Sequence, residues 1–194
     1  MDRGALEQGV ERILLTEDQI RRGLVEIAAR LTKEYEGKEL AVLAILHGSC
    51  IFVADLIRLL PIPLTLEFLA CSSYGNSTTS SGEVRLTFIP GCEDLTNRPV
   101  LLVDDILDTG RTMLRVRDEL RRRGAGDVRT CVFLDKPARR AVPIEPDFRC
   151  FEVEDVFVVG YGLDFAGRYR NLPYLAALKT DGLARPGAPP RDAR

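Results

Sequence analysis

The sequence is poor in the residues that hold structural metals and disulfides. Its 194 residues include one histidine and five cysteines, and no two cysteines form a C-x-x-C pair. This composition argues against a zinc site. An odd number of scattered cysteines is typical of free thiols in a reducing compartment, not of a disulfide framework. We therefore predict a cytoplasmic protein.

The chain also lacks a strong charge excess and long apolar runs. Its formal net charge is -2, which gives no electrostatic basis for nonspecific nucleic-acid binding. No apolar run approaches the ~20 residues that a membrane helix needs, and the acidic N-terminal stretch does not fit a signal peptide. We therefore expect neither a nucleic-acid partner nor a membrane partner.

Length and composition are typical of one globular domain, to which we assign residues 1–178. The tail 179–194 is rich in proline, glycine and arginine, and we predict that it is disordered. The segment 72–83 consists almost entirely of serine, threonine, glycine and asparagine. Its length indicates a lid or a disordered loop.

Apolar patterning predicts an alternation of helices and strands. Thr16-Glu-Asp-Gln19 is a capping-box sequence, and the apolar residues behind it repeat at helical spacing. Further helices are predicted over 50–60 and in the segment that ends at Gly124. The predicted strands are 39–46, 63–71, 84–89, 99–105, 128–134 and 155–161. This alternation is typical of an α/β fold with a mostly parallel sheet.

Polar clusters follow three of the predicted strands. They are His47-Gly48-Ser49, Asp104-Asp105 and Asp135-Lys136. Because α/β folds bind ligands at the carboxyl ends of their strands, we expect these clusters to converge on one site.

The stretch LLVDDILDTGRTM (101–113) combines a buried strand, three acids and a polar turn. A turn before a helix offers free N–H groups and a favourable dipole to an anion. The predicted phosphate contacts are Thr109, Gly110, Arg111 and Thr112. Asp105 stands where a P-loop requires its first glycine, which argues against a nucleoside triphosphatase. The alternative to a ligand site is that Asp104 and Asp105 are charged residues at a strand end and that Asp108 is the N-cap of the following helix.

Asp104 and Asp105 are suited to accept hydrogen bonds from two neighbouring hydroxyls. A phosphate together with vicinal hydroxyls indicates a ribose 5-phosphate. VLLVDDILDTGRTM resembles the phosphoribosyl-diphosphate-binding motif of the type I phosphoribosyltransferases, and Asp108 resembles their 6-oxopurine branch. Four further segments are similar, in order, to the hypoxanthine-guanine phosphoribosyltransferases: LHGSCIFVADL (46–56), SSYGNSTTSSGEV (72–84), FLDKPARR (133–140) and VFVVGYGLDFAGRYRNLPY (156–174).

The resemblance covers roughly residues 10–178. It implies the type I phosphoribosyltransferase fold, in which a mostly parallel sheet is flanked by helices and the chain ends form a small hood subdomain. It also implies transfer of the phosphoribosyl group from phosphoribosyl diphosphate to N9 of hypoxanthine, and of guanine, in purine salvage. We expect a homodimer or homotetramer. A xanthine- or guanine-preferring enzyme and an RNA-binding regulator of the same fold are the alternatives.

The resemblance implies a role for individual residues as well. Asp108 would be the general base or acid at the purine N7. Lys136 would donate to the purine O6, Phe157 would stack on the base, and the main chain of Val158 would meet the pyrimidine edge. By themselves, however, Phe157 could be a core residue and Lys136 half of a surface ion pair with Asp135.

The remaining implied roles concern the ribose, the pyrophosphate and Mg²⁺. Asp104 and Asp105 would hold the ribose hydroxyls, directly or through Mg²⁺. The implied pyrophosphate contacts are His47, Gly48 and Arg170, with Asp164 on the pyrophosphate-side Mg²⁺, and the implied lid residues are Ser73 and Tyr74. By itself, Arg170 could equally be a solvated loop charge.

His47 departs from the family pattern, which usually has a lysine at this position. Either the exchange is tolerated because the loop binds through main-chain N–H groups, or pyrophosphate binding becomes weaker or pH-dependent. The resemblance also implies a cis peptide between Leu46 and His47.

Overall fold

The computed structural model describes residues 9–73, 84–88 and 95–179. In these residues two sheets and three α-helices form. The elements are β1 (Val10–Leu15), α1 (Glu17–Glu34), β2 (Leu40–Leu46), α2 (Cys50–Ile57), β3 (Leu64–Ser73), β4 (Val84–Phe88), β5 (Val100–Leu107), α3 (Arg111–Arg122), β6 (Val128–Asp135), β7 (Phe148–Glu152), β8 (Val158–Val159) and β9 (Leu175–Leu178).

The larger sheet has the strand order β4-β3-β2-β5-β6-β7. Its strands pair in parallel, except that β4 pairs antiparallel with β3. Alternate residues of β2 face opposite sides of a sheet that is covered on both faces. Val42 and Ala44 belong to the apolar core that contains α1 and α2, whereas Ala41 and Leu43 belong to the core that contains α3. The predicted α/β fold with a mostly parallel sheet is confirmed.

The predicted helix after Thr16 is confirmed in detail. The Thr16 hydroxyl accepts from the Gln19 N–H at 3.3 Å, and Gln19 Oε1 accepts from the Thr16 N–H at 2.8 Å. The two bonds satisfy main-chain donors at the start of α1. The α1 side chains buried in the core are Ile20, Leu24, Ile27, Ala28 and Leu31.

The smaller sheet joins the first described strand to the last two. β9 lies between β1 and β8 and pairs antiparallel with both. This three-stranded unit is the hood that the resemblance implies. The sequence patterns did not reveal β1, β7 or β9. β1 was missed because it is partly exposed, with Ile13 53 % accessible, and has no continuous apolar run. β9 was missed because it has only four residues.

Several predicted boundaries were wrong. β3 runs to Ser73 and not to residue 71, so the first two residues of the predicted loop 72–83 belong to the strand. The predicted strand 155–161 contains only Val158–Val159, because Gly160, Tyr161 and Gly162 all have positive φ and turn the chain. The predicted helix 50–60 ends at Ile57, ahead of Pro61. β5 runs to Leu107 and not to residue 105. None of the helices in the described part of the chain has the length and apolar character needed to cross a bilayer.

Candidate active site

The parallel order β2-β5-β6 brings the three predicted polar clusters to one edge of the sheet. His47 to Ser49 follow β2, and Asp104 and Asp105 lie near the end of β5, which Asp108 follows. Asp135 is the last residue of β6, and Lys136 follows it. A main-chain hydrogen bond from Lys136 N to Leu107 O, 3.0 Å long, ties the ends of β5 and β6 together.

The loop after β2 lies directly against β5. A Cβ added to Gly48 would meet Asp105 Oδ2 at 1.5 Å, and a Cβ added to Gly162 would meet the carbonyl oxygen of Gly48 at 2.3 Å. A side chain at residue 48 would therefore have to displace Asp105, and one at residue 162 would have to displace the main chain of Gly48. The peptide between Leu46 and His47 is cis, as the resemblance implies. The His47 side chain is exposed.

Asp104 and Asp105 lie within β5, not after it. Asp104 Oδ1 accepts from the Asp105 N–H, and Asp105 Oδ1 accepts from the Ile106 N–H, both at 2.9 Å. Burial raises the pKa of Asp104 well above its usual range, and the adjacent Asp105 adds to this effect. Burial also raises the pKa of Asp105. Two crowded carboxylates would be relieved by a cation or by hydroxyl donors.

The turn after β5 leads into the N-terminus of α3. Gly110 is the N-cap residue, with φ of 80°, and a Cβ there would meet the Ile144 side chain at 2.4 Å. Because glycine has no side chain to cap the helix, the first N–H groups of α3 remain suited to an external anion. The Thr109 hydroxyl accepts from the Arg111 N–H at 3.4 Å. Arg111 is exposed and Thr112 is half-buried.

Lys136 is buried and does not form the surface ion pair that was the alternative. It is 4 % exposed, and its ammonium donates to the carbonyl oxygen of Val156 at 2.5 Å. Burial lowers the pKa of Lys136, whereas the nearby charges of Asp108 and Asp155 oppose this effect. The oxygens of the neighbouring Asp135 are bound by two arginines instead.

Phe157 is not a core residue. It is 40 % exposed, and its ring packs edge-on against Phe165 with 5.5 Å between the centroids. This leaves ring surface open to a planar ligand. The next residue, Val158, is buried in β8 and pairs with Ala177.

Arg170 is held by two partners and is not a solvated loop charge. Its Nη2 lies 2.6 Å from Asp164 Oδ1, and its Nη1 donates to the carbonyl oxygen of Gly162 at 2.6 Å. Asp164 Oδ2 accepts from the Gly167 N–H at 2.8 Å. The guanidinium thus fixes the turn that packs on Gly48. Burial raises the pKa of Asp105, and the hydrogen bonds of its carboxylate and, to a smaller extent, the charge of Arg170 oppose that rise.

Within the described ranges, no group of three or more His, Cys, Asp or Glu side chains could hold a metal ion. The pair Asp104 and Asp105 nevertheless fits Mg²⁺, which keeps several waters and is commonly bound by one or two carboxylates together with substrate phosphates. Ser73 ends β3. Tyr74 and the rest of the proposed lid through residue 83 lie outside the described residues, as does the tail from residue 180.

Two residues that the sequence patterns did not indicate also contact the site. Arg139 lies 3.1 Å from Asp108 through Nε and Oδ1. Arg140 donates from Nη1 to the carbonyl oxygens of Leu107 and Asp108. Both follow Lys136 in the segment FLDKPARR, and only their closeness to Lys136 in the sequence could have indicated that they contact the site.

Comparison with known proteins agrees with this arrangement. The family model described as "Phosphoribosyl transferase domain" matches residues 13–166. The hypoxanthine-guanine phosphoribosyltransferase of Streptococcus mutans is 41% identical over 176 residues, which cover 91% of this chain and 97% of that protein. The corresponding enzyme of Bacillus subtilis is 41% identical over 179 residues, with coverages of 90% and 96%.

Among solved structures, a hypoxanthine phosphoribosyltransferase from Staphylococcus aureus superposes with a TM-score of 0.88. It is 36% identical, and the match covers 95% of this chain and 100% of that one. The chain therefore belongs to the phosphoribosyltransferase family. Its similarity to the hypoxanthine-guanine enzymes extends over nearly the whole length of both proteins, so the resemblance seen in the sequence is confirmed.

Proposed function

We propose that this protein transfers the 5-phosphoribosyl group of phosphoribosyl diphosphate to N9 of hypoxanthine, and of guanine, and releases pyrophosphate. The observation that carries the proposal is the placement of buried Lys136 next to Asp108, at the ends of β6 and β5. Lys136 can donate a hydrogen bond to the purine O6, and the Asp108 carboxylate can accept one from N7. Both residues lie beside the turn Thr109–Thr112, which is suited to bind a phosphate, and the chain belongs to the phosphoribosyltransferase family.

Lys136 supports selection of 6-oxopurines. An ammonium group has donors and no acceptor, so it can bind a carbonyl O6 but not the amino group of adenine. Placing adenine there would leave the buried donor facing another donor, and such mismatches reject a substrate strongly. We assign the stacking surface to Phe157 and the contact with the pyrimidine edge to the main chain of Val158.

Asp108 would accept the N7 proton as N9 attacks the ribose C1. Positioned general bases typically contribute about 10²–10⁴ in rate. The turn Thr109–Thr112 would hold the 5′-phosphate, and Asp104 and Asp105 would accept hydrogen bonds from the ribose hydroxyls. Negative charge near the ring would also favour an oxocarbenium-like transition state.

We assign pyrophosphate binding to His47, Gly48 and Arg170. Enzymes of this family generally need a divalent metal, and we propose Mg²⁺ with Asp104, Asp105 and Asp164 as candidate ligands. When bound, Mg²⁺ would neutralise charge on the departing pyrophosphate. Ser73 and Tyr74 would belong to a lid that excludes water from the reacting ribose.

We further propose that residues 1–178 act as one phosphoribosyltransferase domain in a homodimer or homotetramer located in the cytoplasm. The family match over residues 13–166 supports the single domain. Sedimentation velocity of the full chain would determine the oligomeric state.

Steady-state kinetics with hypoxanthine, guanine, xanthine and adenine, each with phosphoribosyl diphosphate and Mg²⁺, test the proposal. We expect turnover of hypoxanthine and guanine and none of adenine. Turnover of xanthine and guanine alone would support the xanthine- or guanine-preferring alternative. The absence of turnover with every base, combined with salt-dependent RNA binding, would favour the regulator.

A further inference from the structure

Asp108 is held at two points by consecutive arginines. Arg139 contacts its side chain, with 3.1 Å between Nε and Oδ1, and Arg140 donates to its main-chain carbonyl. We propose that Arg139 is a positioning residue that turns the Asp108 carboxylate so that Oδ2 faces the purine N7. This inference rests on the proposed function of Asp108.

The two oxygens of Asp108 differ in their surroundings. Oδ1 is shielded from solvent and forms no regular hydrogen bond with the described residues, so the ion pair with Arg139 is the contact that compensates its burial. The side chain as a whole is nevertheless 36% exposed. That exposure therefore falls on side-chain atoms other than Oδ1. A charged contact at one oxygen fixes the carboxylate plane and leaves the second oxygen for the substrate.

Arg139 is itself fixed between two acids. It ends the short 3₁₀-helix Pro137–Arg139, and its main-chain N–H donates to the carbonyl oxygen of Lys136 at 3.2 Å. Its Nη1 also lies 3.6 Å from Asp155 Oδ1. The guanidinium therefore lies between the carboxylate proposed for N7 and the segment that leads to the proposed stacking residue.

Arg140 has a different role because it is anchored in the core. Its Nη2 contacts Asp135 Oδ1, and Arg149 lies 3.1 Å from Asp135 Oδ2. Asp135 is fully buried and Arg140 is 11% exposed, whereas Arg139 is 48% exposed. Removing one partner of a buried ion pair is strongly destabilising, but exposed pairs contribute little to stability. Arg140 therefore stabilises the end of β5, whereas Arg139 orients the Asp108 carboxylate.

The test compares Arg139→Gln, Arg139→Lys and Arg140→Gln with the wild type. Arg121→Gln, at an exposed position of α3, is the control for loss of one positive charge. We expect Arg139→Gln to lower the single-turnover rate with hypoxanthine about tenfold, because small misplacements of a reacting group are costly. Its melting temperature and its KM for phosphoribosyl diphosphate should stay at wild-type values. Arg139→Lys should restore most of the rate, and Arg140→Gln should instead lower the melting temperature.

The double variant Arg139→Gln/Asp108→Asn tests whether Arg139 acts through Asp108 or independently of it. If Arg139 acts through Asp108, Arg139→Gln should have little further effect in an Asp108→Asn background, because coupled residues are not additive. A full tenfold loss in that background, or an unchanged rate in Arg139→Gln alone, would overturn the inference. Inactivity of the wild-type protein toward every purine would instead overturn the proposed function itself.

Discussion

The carboxylate of Asp105 fills the space that a side chain at residue 48 would need, because a Cβ on Gly48 would lie 1.5 Å from Asp105 Oδ2. Gly48 in turn packs against Gly162, whose carbonyl oxygen is bound by Arg170. The proposed ribose-binding strand, the proposed pyrophosphate loop and the loop that carries Arg170 therefore form one close-packed unit.

We predict that Gly48→Ala weakens binding of phosphoribosyl diphosphate at least about tenfold, because a Cβ must displace either Asp105 or the loop. Affinity can be measured by titration calorimetry with Mg²⁺ and the donor. Gly37→Ala is the matched control, since nothing lies within 4 Å of a Cβ added to Gly37. It should cost some stability, because its φ is +72°, but leave donor affinity unchanged. If Gly48→Ala bound phosphoribosyl diphosphate with wild-type affinity, the loop would be able to accommodate a Cβ without disturbing the site, contrary to this prediction.

Asp104→Asn should stabilise the protein while impairing catalysis. The pKa of Asp104 is raised by burial and by Asp105, so ionisation of this carboxyl group opposes folding. Between the usual pKa and the raised one, the folded state binds a proton that the unfolded state lacks, and stability falls as pH rises. Removing the charge should raise the melting temperature at pH 7 by a few degrees, roughly 2–4 °C per kcal/mol.

The measurement is thermal unfolding in metal-free buffer without substrates. Asp118→Asn is the control, because Asp118 is exposed on α3. A lower melting temperature for Asp104→Asn would mean that this carboxylate stabilises the fold in its ionised form, contrary to the direction of its pKa shift.

Asp108→Asn should lower kcat at least about tenfold, because an amide cannot accept the N7 proton. Binding of phosphoribosyl diphosphate should change little. Rapid-quench measurement of the chemical step is the appropriate assay, since product release can mask a slower reaction. An unchanged chemical rate would remove Asp108 from the mechanism.

His47→Lys should tighten pyrophosphate binding only modestly, because the His47 side chain is exposed while Gly48 packs at the site. Product-inhibition constants for pyrophosphate, measured for both proteins under the same conditions, provide the test. A large gain in affinity would show that this protein lacks a side-chain contact that lysine can make.

The central fold could be predicted from the sequence because its strands are continuous apolar runs and α1 carries its own start signal. Residues such as Val42 and Leu43 face two different cores, so both had to be apolar. β1 escaped prediction because it is partly exposed, and β9 because it has only four residues.

The site could be predicted in part. The polar clusters after β2, β5 and β6 follow directly from the rule that parallel strands end at a common edge. The contact of Arg139 with Asp108 and the burial of Lys136 depend instead on how the segment after β6 turns back toward β5, which no local pattern encodes. Phe157 looks like a core residue in sequence, and only the short β8 and the turn at Gly160 leave its ring exposed.

The most direct test of the central claim is product analysis with the purified wild-type protein. Hypoxanthine, phosphoribosyl diphosphate and Mg²⁺ are incubated, and nucleotide and pyrophosphate are quantified by chromatography and NMR. We expect the N9-linked 5′-monophosphate and pyrophosphate in equal amounts, and no nucleotide when adenine replaces hypoxanthine. Formation of pyrophosphate without nucleotide, or no product from either hypoxanthine or guanine, would contradict it.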